Sequence, residues 1–321
     1  MMRSPLPVRT RFSLLLVGVL TAGVTACGNG VGGDVTESTA ASGAQTSAIP
    51  DNAGLIAAVT PDPGLAAGLP PAVAQSKTVK VGSNIQSAPN NFYAEDGKTP
   101  IGFEVDLAKA IGKKMGVETA YQDMAFGSLI TSLQSGRIDM TMAGMNDTKE
   151  RQQQIDFVDY FSSGITIMVQ KGNPDGITGP DALCGKNVAV VQGTSHQTFA
   201  AAQSDKCVKD GKPAVNVTAT DSDTQNQNQL RTGRVAAILN DLPSAAYISR
   251  TAGDGKIFEV VPGEPIDGGP YGIGFAKDDA ALRDSVNKAL GELIADGTYL
   301  KILQSWGVEQ GAVKESAVNG A

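Results

Sequence analysis

Beyond residue 77 the chain switches repeatedly between two hydrophobic periods. Val79 and Val81 flank Lys80, the alternation of a short strand. Phe103, Leu107 and Ile111 recur every fourth residue and predict a helix that Gly116 closes. Residues 117–121 read as a strand. Phe126, Leu129, Ile130 and Leu133 mark a second helix, closed by Gly136. Ile138, Met140 and Met142 alternate with Asp139 and Thr141 as a further strand, and residues 165–169 form another. A second series follows. Strands over 187–191, 215–219 and 235–239 lead into helical stretches from Ser195 through Ala202, over 222–232, and after Pro243, whose ring suits a first helical turn. Strands over 257–261 and 271–275 come next. Leu282, Val286, Ala289, Leu290 and Leu293 then mark an amphipathic helix, and 297–306 a shorter one. Alternating strands and helices mean an α/β class with a largely parallel sheet.

Two such units, with chain left over at the C-terminal end, predict two lobes. Extended segments at 165–171 and 263–271 are the expected crossings, so lobe 1 comprises 77–170 plus 270–310, lobe 2 comprises 171–269, and 311–321 is a C-terminal tail. Two lobes on two thin connectors suggest a hinge that closes over a cleft. Residues 28–76 are rich in Gly, Ala, Ser, Thr and Pro with little periodicity, and read as a disordered tether.

The first 27 residues read as an export signal rather than fold. Arg3, Arg9 and Arg11 precede an apolar run from Phe12 to Leu20 that is too short to span a bilayer. Val24-Thr25-Ala26-Cys27 resembles a bacterial lipobox, which implies cleavage before Cys27 and its lipidation; the alternative is an ordinary signal peptide cut nearby. Cleavage there removes three arginines and no acid, taking the net charge from −7 to −10. This acidic balance excludes nucleic acid as a partner. The chain has three cysteines. With Cys27 lipidated, Cys184 and Cys207 can pair in an oxidising compartment, a cross-link worth about 3 kcal/mol in the chain-entropy model. Two Cys and the single His match no zinc spacing, so no metal or cofactor is expected.

Ligands of open α/β sheets sit where strands run into helices. Three loops occupy such places. The first runs from Ala143 through Gly144 and Asn146 to Arg151, with Asp147 or Thr148 as a helix N-cap and Glu150 as its capping-box partner. Arg151 then falls in a first helical turn, where a cation opposes the helix dipole. The second is Gly193-Thr194-Ser195, two hydroxyls at a helix start. The third is Asn240-Asp241-Leu242-Pro243. Singly, each has an ordinary reading: a solvated arginine, and caps. Jointly, an arginine and anion-favouring helix ends suit a carboxylate, and Asp241 suits an ammonium, which is the polar set an α-amino acid needs.

The stretch from Gly102 to Phe161, together with VQGTS, GRVAAILNDLPSAAY and PYGIGFAKDD, closely resembles the bacterial extracellular solute-binding proteins of family 3, the polar-amino-acid receptors of ABC importers. The resemblance covers about residues 77–308. It implies a two-lobe periplasmic-binding-protein-like fold of type II with two hinge connections. It also implies ligand capture without catalysis, and a monomer on the outer face of the cell membrane that delivers its ligand to a permease. By position it implies that Arg151 clamps the ligand carboxylate with Thr194 and Ser195, that the Gly144 carbonyl and Asp241 take the ammonium, and that Phe126 packs on the ligand unless it is a core residue. Asn146 stands where a hydroxyl is usual, Asn84 where an acid is common, and Ser87 where an aromatic is common. These departures make the side-chain pocket neutral and point to an uncharged polar or small amino acid. His196 follows Ser195 and is expected as a surface residue of the capping region, with contact to the ligand side chain as the alternative. Two competing readings stay open. One is an enzyme on the same fold, similar to a cyclohexadienyl dehydratase, although Asp241 is the one carboxylate expected on a cleft loop. The other is a free ligand sensor.

Overall fold

A computed structural model describes residues 49–321; the predicted signal peptide, Cys27 and the first part of the predicted tether lie outside the described residues. Three short helices open the described chain: α1 (Ala53–Ala57), α2 (Pro63–Ala67) and α3 (Pro71–Ser76). The disordered tether expected up to residue 76 is therefore corrected over this stretch. Pro63 and Pro71 fix φ in the first turns, and Asp62 accepts a hydrogen bond from Gly64 N at 2.7 Å. Val59, Leu65, Leu69 and Val73 enter the main hydrophobic core. Four apolar side chains suffice to dock short helices on a formed core, though they are too few to show a period.

Lobe 1 centres on β1 (Thr78–Ser83). After the small hairpin β2 (Phe92–Tyr93) and β3 (Pro100–Ile101), helix α4 (Phe103–Met115) packs under the sheet. It carries Glu104 and Asp106 in its first turn, Lys113 and Lys114 in its last, and Gly116 in the left-handed region just past its end, all favourable to the helix dipole and C-cap. Strand β4 (Glu118–Asp123) and β5 (Met140–Thr141) flank β1 in parallel, and α5 (Leu129–Gln134) connects them.

Strand β6 (Ile155–Gln170) carries the chain out of lobe 1. It is buried except at Ser162, Ser163 and Gln170, and it changes partner along its length. From Ile155 to Ile165 it lies antiparallel to a returning strand, and from Ile165 to Met168 it lies along a lobe-2 strand. Lobe 2 holds β7 (Asn187–Val191), α6 (Ser195–Lys209), β8 (Asn216–Thr220), α7 (Asp223–Arg231), β9 (Ala237–Asp241), α8 (Leu242–Thr251) and β10 (Phe258–Val260). β7 is parallel to both β8 and β9. Cys184 and Cys207 form a disulfide that ties the approach to β7 onto α6, with Cys207 fully buried in the lobe-2 core.

The return strand is β11 (Ile266–Ala276). It is followed by α9 (Ala280–Ala295) and α10 (Thr298–Trp306), which cover lobe 1. The final residues are corrected from a tail to a packed edge. β12 (Ala317–Val318) adds to β6, Asn319 donates to Asp156, and Gly320 N donates to Asp159 at 3.0 Å. Among the described residues no helix is long and apolar enough to cross a membrane.

Candidate functional site

The carboxyl ends of β1, β5, β7 and β9 face one another across the gap between the lobes and line a cavity of about 40 Å³. Lobe 1 supplies Asn84, Ser87, Asn90, Phe126, Gly144 and Asn146. Lobe 2 supplies Thr194, Ser195, His196, Asp223, Asn240 and Asp241. Seven of the eight residues expected to meet the ligand (Asn84, Phe126, Gly144, Asn146, Thr194, Ser195 and Asp241) thus lie on one cavity wall or its opposite. The eighth, Arg151, sits at its edge.

Arg151 bridges the lobes. Its guanidinium donates to the Asn146 carbonyl at 2.9 Å and to the Gly193 carbonyl at 3.2 Å, and lies 5.6 Å from the centre of the Phe126 ring. Burial pulls its pKa down from the ordinary arginine value, opposed by Glu150, Asp241 and Asp147; an arginine remains a cation under such a shift. The expected helix behind it is a single 3-10 turn, Arg151–Gln153. Thr148 Oγ1 accepts from Arg151 N at 3.2 Å, while Asp147 is engaged by Gln152 Nε2 rather than capping. A three-residue turn has no appreciable macrodipole, so the expected dipole penalty does not arise. What holds Arg151 is carbonyl oxygen and an aromatic face.

A second cross-lobe contact joins Ser195 Oγ to Asn146 Oδ1 at 2.7 Å. Thr194 caps α6, accepting from Gln197 N, and its own hydroxyl donates to Val191 O at 2.7 Å. Gly193 has φ +79°, a conformation that suits glycine, and comes so close to lobe 1 that a Cβ there would lie 3.0 Å from Gly127 Cα. Gly144 (φ +59°) turns its N–H onto Glu104, 2.8 Å away.

Glu104 is a residue the sequence pattern passed over. Fully buried, it accepts from Gly144 N, Asn90, Asn91 and the Tyr160 hydroxyl, and burial pushes its carboxyl up to about 7 despite these donors. It fixes the loop that presents Gly144 and Asn90 to the cavity. Its signal was an acid beside the apolar stripe of α4, on a face shared with Ala108, Ile111 and Met115. Asp223 was also missed and corrects the expectation that Asp241 is the one cleft carboxylate. It is 3% exposed, accepts from Asn240 Nδ2 at 3.1 Å and Gln227 Nε2 at 3.3 Å, and burial raises it to about 6.

His196 is not a surface residue. It is 8% exposed, and its Nε2 lies 3.2 Å from Oδ1 of Asp241, itself 7% exposed. The approach is off the hydrogen-bond line, so both atoms are buried without an aligned partner, as is the Tyr271 hydroxyl. Burial pushes the Asp241 carboxyl up, but His196, Tyr271 and Arg151 outweigh it and hold the group below the ordinary aspartate value. The cavity therefore joins one cation, one firm anion and many neutral amides and hydroxyls. Among the described residues no group of three or more His, Cys, Asp or Glu is placed to hold a metal ion.

Comparison with known proteins places this geometry. The arginine-binding protein ArgT of Corynebacterium glutamicum is 30% identical over 260 residues, 81% of this chain and 84% of that protein. An ancestral arginine-binding protein solved with arginine is 39% identical with a TM-score of 0.65, covering 72% of this chain and 98% of that one; it has also been solved with glutamine. An ancestral amino acid-binding protein described as a precursor of cyclohexadienyl dehydratase is 30% identical with a TM-score of 0.63, covering 73% and 97%. The profile of the bacterial extracellular solute-binding proteins, family 3, matches residues 79–309. With both the sequence profile and the two-lobe fold in agreement, the chain belongs to the bacterial extracellular solute-binding proteins, family 3.

Proposed function

We propose that the protein is the extracytoplasmic receptor of an ABC importer, anchored through Cys27, that traps an amino acid between lobe 1 (77–170 plus 270–310) and lobe 2 (171–269) and presents it to a permease. The observation that carries this reading is the arrangement of Arg151 and Asp241 about one cavity. The guanidinium is held at the seam by carbonyl oxygens that a ligand carboxylate can replace, and Asp241 stays a buried anion on the other side. A bidentate carboxylate–guanidinium pair and an ammonium–carboxylate pair fix the shared part of any α-amino acid. Asn146, Thr194 and Ser195 assist at the carboxylate end, Gly144 at the ammonium, and Phe126 forms the apolar floor.

The side-chain end favours an uncharged polar or small amino acid. Asn84, Ser87, Asn90 and Asn240 offer neutral donors and acceptors. Asp223 favours a second reading, a cationic side chain, which the arginine named for the relatives also suits. Its carboxylate is already taken up by Asn240 and Gln227 and is raised to about 6, which weakens it as a counter-ion. The chemistry proposed is binding without turnover. Calorimetry against the twenty amino acids tests both points. Saturable binding is expected, glutamine ahead of arginine, lost by at least about a hundredfold in Arg151→Ala and Asp241→Asn because each leaves a buried charge unpaired. Wild-type affinity in both variants would show the cleft to be misassigned, and conversion of the bound ligand would revive the enzyme reading.

A further inference from the structure

We propose that His196 makes capture in this cleft sensitive to pH: the proton on its imidazole and the ammonium of the ligand compete for Asp241, so that binding expels the proton and acid expels the ligand. This rests on the amino-acid reading above and adds to it a proton switch.

Two buried polar atoms of the cavity wall, His196 Nε2 and Asp241 Oδ1, lack an aligned hydrogen-bond partner, and so does the Tyr271 hydroxyl beside Asp241. Buried polar atoms in that condition are rare, and a cluster of them marks a place where a polar group is to be received. The group to be received is cationic, because Asp241 is the one carboxylate among these side chains while Tyr271 and a neutral imidazole supply only dipoles. His196 Nε2 already stands 3.2 Å from Asp241 Oδ1. Protonated, it is itself the missing cation and cancels the charge that an ammonium needs. Neutral, its Nε2 can present a lone pair, and the pair Asp241 plus His196 becomes an acceptor site. A protonated imidazole and an ammonium cannot share one carboxylate in a buried corner without strong repulsion.

The charged and titratable groups around His196 do not offer another partner for this role. On α7, Asp223 lies near it, but its oxygens are engaged by Asn240 and Gln227. From lobe 1, Tyr271 points to Asp241, and Arg151 acts on Asp241 at longer range. Glu104 lies behind Tyr271 and is committed to the Gly144 loop. The position of His196, second residue of α6 and directly after Ser195, places the ring where α6 meets the end of β9.

The test is titration calorimetry of the full chain with L-glutamine and with L-arginine, at about pH 7.5 and about pH 5.5, in pairs of buffers with different ionisation heats. The ammonium and carboxylate of either free amino acid keep their charges across this range. Competition by one proton predicts a lower affinity at the lower pH, by no more than about tenfold per pH unit, with protons released to the buffer on binding. His196→Gln keeps a donor toward Asp241 without a titrating charge; it should bind with the same affinity at both pH values and release no proton. His196→Asn provides a second neutral variant should the first pack badly. Equal wild-type affinity at both pH values would overturn the proposal. So would proton release retained in both neutral variants, which would move the effect to Asp223 or Glu104. Binding of neither amino acid at pH 7.5 would overturn this inference as stated for these two ligands, while the amino-acid class itself falls only if all twenty fail in the calorimetry above.

Discussion

Glu104 shows how much a single buried side chain can govern at the residue scale. Its four donors hold Asn90, Asn91, Gly144 and Tyr160 together, so the lobe-1 wall of the cavity hangs on one carboxyl. Burial raises that carboxyl to about 7. The folded protein then binds its proton more tightly than the unfolded chain does. The stabilisation is fully present below pH 4.5 and is lost as the pH rises through about 7, a change on the order of 3 kcal/mol. Asp223, raised to about 6, and Asp159, raised to about 7, add to the same slope. Melting temperatures at about pH 5 and pH 8 should therefore fall with pH in the wild type, and fall less in Glu104→Gln. An equal fall in both proteins would show that Glu104 does not titrate in this range. Residues of this kind were hard to read in the sequence. Asp241 announces itself at a strand end and Arg151 as a cation where a first helical turn is expected, whereas Glu104 and Asp223 sit in first helical turns, where an acid is ordinarily read as a solvated complement to the dipole. His196 was visible, but its burial depends on how α6 docks against β9.

Among the elements, those with a sustained period were legible and those defined by their partners were not. The stripes of α4 and α9 and the alternation in β1 and β5 are written in neighbouring residues. β6 hides its first half because Asp156 and Asp159 break the apolar run; Asp156 is met by Lys277 and Arg283 and Oδ2 of Asp159 by the backbone of Gly320, all distant in sequence. The helices α1 to α3 and the edge strand β12 owe their order to docking on a core already made elsewhere. α6 runs past its predicted end at residue 202 to Lys209 because Gln203 and Cys207 continue its buried face. There the disulfide matters. Cys184 and Cys207 are separated by 23 positions, and closing a loop of that size limits the unfolded chain by about 3 kcal/mol. Replacing both by serine should lower the unfolding free energy of the chain by about that amount, measured by urea denaturation. Ligand affinity should change by less than about threefold, since neither sulfur lines the cavity. A loss of binding with unchanged stability would mean that the cross-link positions the Thr194–Ser195 turn instead.

The whole molecule is seen here with its lobes in contact, and the contacts define what closure must make and break. At the cavity they include Ser195 with Asn146, Arg151 with Gly193, and Asn84 Nδ2 donating to the Asp221 carbonyl at 3.5 Å. Away from the cavity there is another, between aromatic rings: Phe92 on the lobe-1 hairpin lies 6.0 Å from Tyr247 on α8 of lobe 2. The same Phe92 meets Trp306 edge-on, also at 6.0 Å, and Arg250 lies over the Tyr247 ring at 5.9 Å. Trp306 is the single tryptophan of the chain and is fixed by a 2.9 Å hydrogen bond from Nε1 to Asp106. Its environment is rigid on the lobe-1 side and changes on the other only when Tyr247 and Phe92 come together. Tryptophan emission should therefore shift when an amino acid closes the lobes, with the same saturation curve as calorimetry. Phe92→Ala should abolish most of that shift. It should also weaken binding by roughly two- to tenfold, the measured worth of one aromatic pair of about 0.5–1.5 kcal/mol. If emission does not move on saturation with ligand, the aromatic contact persists with and without ligand, and the motion between lobes must turn about an axis through this contact rather than open it.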